Sequence, residues 1–179
     1  MGLARVQPLE AAVTPHRIVF LGVLLGAAFG VWNLLSSLLN PLAEDTIPAL
    51  LSFCGPMFAS WGAAAFAASR RTGRVVDGIK TGTTIAFVTF VVFDAAVSLR
   101  VNLFLDSLIE RLDWQNLMLR FQASGSENLR TFINYHYVTQ APFKILVATA
   151  IGGVVSVVGG LLGARAVGHQ VPSRPERPQ

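Results

Sequence analysis

The chain has 179 residues, of which 53% are hydrophobic and only 13% charged, and it carries a formal net charge of +4. So few charges cannot cover the surface of a soluble domain of this size, so a lipid bilayer is the expected solvent. The single cysteine, Cys54, excludes an internal disulfide and a two-cysteine redox relay, and with them a four-helix disulfide oxidase linked to quinone.

The first apolar run, Ile18 to Leu39, follows a short basic stretch holding Arg5 and Arg17. It exceeds the roughly 7 to 15 residues of a secretory signal core, and no small-x-small cleavage site follows it. It therefore reads as a retained span. The sixth residue is Val6, not the Ser or Thr that an amino-terminal myristoylation motif requires. Thr14 and Pro15 are the predicted cap and first-turn proline of this helix. Along it Gly22, Gly26 and Gly30 recur at four-residue spacing and form a smooth groove.

The second run, Thr46 to Ser69, follows Glu44 and Asp45 and carries a comparable row of small residues, Gly55, Ala59, Ala63 and Ala67. Pro56 lies inside it. A proline there removes one hydrogen bond and is expected to bend the helix, freeing the carbonyl of Ser52. The segment Arg70 to Arg74 then leads to the third run. Its arginines read as a topology anchor, with contact to anionic lipid headgroups as the alternative.

The third run, Thr81 to Leu99, contains Asp94, the one acid inside a predicted span. An ionisable group at that depth costs about 2.5 to 3.5 kcal/mol on insertion scales, so it needs a partner or a purpose. Asp94 lies about four residues from the middle of its run, or roughly 6 Å. The same level falls near Asn33 on the first helix, near Ser52, Cys54 and Pro56 on the second, and near Thr149, Gly152 and Gly153 on the fourth. A shared polar level is thus expected at Asn33, Ser52, Asp94 and Thr149. Lys144, at the start of the fourth run, is the ion-pair partner within reach, although its long stem favours the interface.

Between the third and fourth runs, residues 101–141 form an excursion too long for a simple connection. Val101, Leu105, Leu108, Leu112 and Leu119 fall on one stripe, opposite Asp106, Glu110 and Asp113. Ser124 to Glu127 has the spacing of a capping box, and Leu129, Phe132, Ile133 and Tyr137 follow at helical intervals. Two amphipathic helices are predicted. Trp114, Tyr135 and Tyr137 suit the headgroup zone, so the excursion is expected to lie on the outer membrane surface or to cap the bundle, with a docking surface for a partner as the functional alternative that uses the same apolar face.

The fourth run, Ile145 to Ala164, carries a third small-residue stripe, Gly152, Ser156, Gly160 and Ala164. With three stripes in four helices, internal packing is expected for two, and a leftover stripe points to oligomerisation. The proline-rich tail, residues 171–179, is expected to be disordered.

The four runs are 19 to 24 residues long. That length spans roughly 28 to 36 Å, which matches a hydrocarbon core of about 30 Å. The predicted fold is an all-α integral membrane protein. It is a single domain over residues 1–170, a four-transmembrane-helix bundle with an amphipathic helical excursion between helices 3 and 4. Nine Lys and Arg residues flank one side of the spans, counting the region before the first run, residues 70–80 and the carboxy-terminal segment. By the positive-inside rule both termini are expected in the cytoplasm of a bacterial cell with the domain in its plasma (inner) membrane.

The basic residues flank spans and are not interleaved with exposed aromatics, so no nucleic acid is expected as a partner. His16, His136 and His169 lie outside the runs and share no metal-ligand spacing, and no HExxH, GxSxG or Walker A sequence is present. No metal, cofactor or catalytic residue is therefore expected. The leading expectation is a non-enzymatic subunit or accessory scaffold of a membrane assembly, joined to a protein partner or to itself through small-residue helix faces. The alternative is a small proton- or cation-coupled transporter centred on Asp94.

Overall fold

A computed structural model describes residues 14–40 and 46–168. The tail at 171–179, the acids Glu44 and Asp45, and His169 lie outside the described residues. Among the described residues every regular element is helical. Helix α1 is Pro15–Leu39, α2 is Ile47–Thr72, α3 is Val75–Leu103, α4 is Leu105–Leu108, α5 is Gln115–Ala123 and α6 is Leu129–Gly168; a 3-10 turn covers Leu112–Trp114. Helices α1, α2, α3 and α6 are long and apolar enough to cross a bilayer. Their apolar outer faces contact lipid.

Helix boundaries follow local chemistry. Thr14 occupies the amino-terminal cap of α1 in extended conformation with Pro15 behind it, although its hydroxyl makes no capping bond. On α2 the Thr46 hydroxyl does accept from the Ala49 N–H. Gly73, at φ 71°, ends α2 in the left-handed region, which glycine adopts without a Cβ penalty, and turns the chain directly into α3. The spans run longer than the apolar runs because polar residues such as Asp77 and Asn102 continue the α3 helix into the interfaces.

Helix α3 is the hub of the bundle. It packs against α1, α2 and α6, and α2 also packs along α6. Small residues set these contacts. On the α3–α6 pair, Gly78 meets Gly160, Gly82 meets Ser156, and Ala86 meets Gly152, so each four-residue step up α3 matches a four-residue step down α6. This is an antiparallel seam. Gly22, Gly26 and Gly30 of α1 lie against Val88, Val92 and Ala96 of α3 in parallel, and the buried Thr89 hydroxyl donates to the Gly22 carbonyl at 3.2 Å. The core sits between these helices, where Met57, Trp61, Ile85, Ala86 and Ala148 are buried and Phe53, Phe90 and Phe93 close over them.

The excursion departs from expectation in three respects. Its second amphipathic stretch is not a separate helix: residues 129–141 are continuous with the fourth span in the 40-residue α6, which passes through Pro142. At about 1.5 Å per residue α6 is roughly 60 Å long, about twice the hydrocarbon thickness. The helix continues through the proline's lost hydrogen bond. Ile133 is buried in a cap cluster with Val101, Leu105, Leu108 and Trp114, and Asn102 and Asn134 exchange side-chain amide hydrogen bonds at 2.7 and 3.2 Å.

Second, Ser124 does not open a capping box. Gly125 takes φ 67°, so Ser124 ends α5, its hydroxyl donating to the Phe121 carbonyl. The amino-terminal cap of α6 is Asn128, whose side-chain oxygen accepts from the Thr131 N–H at 3.0 Å. Third, the predicted stripe holds through Leu108 and then fails, because the 3-10 turn rotates the chain and leaves Leu112 and Leu119 exposed. In keeping with the capping placement, Trp114 is not spread on the surface. It is buried in the cap and stacks on Tyr137, while Tyr135 remains exposed.

Candidate functional site

The predicted polar level separates into two places. In the register of Gly22, Gly26 and Gly30 against Val88, Val92 and Ala96, Asn33 lies level with Leu99 of α3, about five residues or roughly 7 Å beyond Asp94. Asp94 is buried on α3, and continuing the α3–α6 register two four-residue steps beyond Ala86 and Gly152 leads from it to Lys144. Lys144 is the charge that Asp94 senses across the pair. The ammonium itself turns toward the cap and sits 4.5 Å from the centre of the Tyr137 ring, a cation–π contact. Lys144 thus snorkels as its stem favours.

Thr149 does not join Asp94 by a hydrogen bond. Its hydroxyl donates to the Ile145 carbonyl one turn back at 2.7 Å. Asn33 and Ser52 belong to another place, a cavity of about 350 Å³ enclosed by α1, α2, α3 and Arg111. Ser52 lines its exposed edge and donates to the Ala49 carbonyl. Helix α2 continues unbroken past Pro56, which is exposed, and the next residue, Met57, is fully buried in the core.

This cavity contains residues that sequence reasoning passed over. Arg100 marks the end of an apolar run, and read that way it belongs in water. In the fold it is buried, with its Nη1 donating to the Ser37 hydroxyl across the α1–α3 contact. The signal was present: Phe93, Val97 and Arg100 recur at helical spacing and all three line the cavity. Ser36, Ser37, Asn40 and Cys54 complete its polar wall.

A second, open cleft of about 310 Å³ lies on the cap, lined by residues that include Trp114, Arg120, His136, Tyr137 and Lys144. His136 lies in the part of α6 that extends beyond the apolar span. Burial first, then the positive charges of Arg120 and Lys144, hold its imidazole below the usual histidine range.

The small residues of α1 and α6 singled out for helix packing, Gly22, Gly26, Gly30, Gly152, Ser156 and Gly160, all face α3. The α2 row does not. Gly55, Ala59, Ala63 and Ala67 are exposed, and a Cβ built on Gly55 meets no atom within 4 Å. No family model, no curated protein and no solved structure matches this chain.

Proposed function

We propose that this protein is a non-enzymatic subunit or accessory scaffold of a membrane assembly, held in a bacterial inner membrane with both termini in the cytoplasm. The observation that carries the reading is the α2 row. Two of the three small-residue stripes are used up against α3, and the third faces outward over three turns. In lipid, helices associate through close backbone approach, so an outward row of Gly and Ala is a surface on which another helix packs closely. Arg17, Arg70, Arg71, Arg74, Lys80 and Arg165 support the orientation, since all lie toward the end where α1 begins and α6 finishes.

Purification in mild detergent, with identification of every retained chain, tests the proposal. A stoichiometric partner or a stable homo-oligomer is expected. The double variant Ala59→Leu, Ala63→Leu is expected to keep the helical fold and lose at least tenfold of that association. A wild-type chain that purifies alone as a monomer would remove the reading.

A second reading is a small proton- or cation-coupled transporter centred on Asp94, and the burial of that acid across from Lys144 supports it. Under it, Asp94→Asn in reconstituted vesicles lowers ion-dependent flux more than tenfold while folding and partner retention stay unchanged. A variant that assembles and conducts like the parent ends the transporter reading.

A further inference from the structure

Among the described residues, Arg100 is the charge that the packing leaves most conspicuously unanswered. Its residue is 8% exposed, and its Nε is buried with no hydrogen-bond partner. The bond from Nη1 to Ser37 is 3.4 Å, at the long limit for such contacts. A guanidinium removed from water costs several kcal/mol unless an anion and further hydrogen bonds satisfy it. Among the described residues, none that lines the cavity beside it is acidic. The second arginine on that wall, Arg111, is held by both carboxylate oxygens of Asp113, at 2.9 and 2.5 Å, and that acid lines the cap cleft.

The rest of the wall suits an amphiphilic anion. Ser36, Ser37, Ser52, Asn33 and Asn40 bring hydroxyl and amide groups, and the Asn33 side-chain oxygen is buried without a donor. Trp32 and Leu50 line the same cavity and are 64% and 48% exposed, so it opens between α1 and α2 onto the lipid-facing surface. Asn33 lies six residues before the end of α1, or roughly 9 Å in from that helix terminus, the depth range of headgroup and upper chain. The planar fork of arginine matches the paired oxygens of a phosphate.

We propose that this cavity binds a phosphate group, with the Arg100 guanidinium as its principal ligand and the phosphodiester of a membrane lipid as its source. The phosphate supplies the counter-charge that Arg100 lacks. A donor carried next to it on the headgroup answers the Asn33 oxygen, and the acyl chain leaves along Trp32 and Leu50. Inorganic phosphate shares the charge chemistry but has no apolar part to use that exit.

The full-length protein, washed in phosphate-free maltoside detergent, is titrated with a short-chain phosphatidylglycerol, with inorganic phosphate, and with a phosphate-free glycolipid of equal chain length. Binding is read by phosphorus line broadening and, for the glycolipid as well, by the fluorescence of Trp32. The expected result is saturable binding of the phospholipid, weakened at least tenfold by Arg100→Gln and unaffected by Arg120→Gln on the separate cap cleft. Competition by inorganic phosphate at equal strength would keep the phosphate site and reassign its source to the free ion. Equal binding of the glycolipid, or unchanged binding in a folded Arg100→Gln protein, overturns the proposal. Should Arg100→Gln fail to fold, Ser52→Trp, which fills the cavity from its exposed edge, must abolish phospholipid binding; retained binding there overturns it equally.

Discussion

Replacing Gly159 by leucine is expected to cost this protein about 3 kcal/mol or more of stability. A Cβ at this position runs into the Gly62 carbonyl oxygen and lies within 3.2 Å of the carbonyl carbon and Cα of the same residue. Those are backbone atoms of a neighbouring span and cannot rotate away. Overpacking of a well-filled interior costs about 1–3 kcal/mol when side chains absorb it, and more when only a helix displacement can. The separation of α2 from α6 would have to grow, and the contacts of Phe66 with Gly163 one turn along would open with it. Reversible unfolding in mixed micelles measures the loss. Val158→Leu, on the exposed face of the same helix, is the matched control and should shift stability by less than about 0.5 kcal/mol. A Gly159→Leu protein as stable as that control would show that the α2–α6 contact is not the close approach described.

The second large effect concerns Trp61, which is fully buried between α2, α3 and α6. Truncation to alanine is expected to cost about 3–5 kcal/mol, the range seen for large aromatic deletions. The cause differs from that in a water-soluble core. Lipid is as apolar as the helix interior, so little transfer free energy is lost; the cost comes from dispersion contacts with Phe58, Ile85 and Gly152 that a void cannot replace. Trp61→Phe provides the discriminating comparison. The indole N–H is buried without a hydrogen-bond acceptor, so phenylalanine removes an unsatisfied donor while keeping most of the volume. Its cost should be less than half that of Trp61→Ala in the same unfolding measurement. Equal losses would mean that the indole N–H has an acceptor after all.

The spans were legible because hydropathy is a one-dimensional property, and Arg17, Arg70, Lys80 and Arg165 interrupt it where helices leave the hydrocarbon. The role of small residues was legible too, as a rule about close approach, and Gly26 against Val92 and Gly152 against Ala86 obey it. The excursion was read less well. The Ser124–Glu127 spacing suggested the start of a separate amphipathic helix before the fourth span. The chain instead breaks at Gly125 and caps at Asn128, then runs through the proline because Ile133 and Asn134 anchor the extension to the end of α3. Local signals for a helix end were outweighed by packing several turns away.

Sequence alone thus determined that the chain is a four-span helical membrane protein and which residues are small enough to let helices touch. Only the tertiary structure decided what the polar residues meet and at which level. Asn33 and Asp94 were expected at one depth, yet the α1–α3 register sets Asn33 about five residues beyond Asp94, in the cavity beside Arg100, while the α3–α6 register leads from Asp94 toward Lys144. The physical reason is that hydrophobic matching to a bilayer places a helix along the membrane normal only to within about a turn and leaves rotation about its axis free. That rotation is settled by side-chain packing between helices: the glycine contacts of α1 and α6 with α3 turn Asp94 inward, leave the α2 row outward, and bury Arg100.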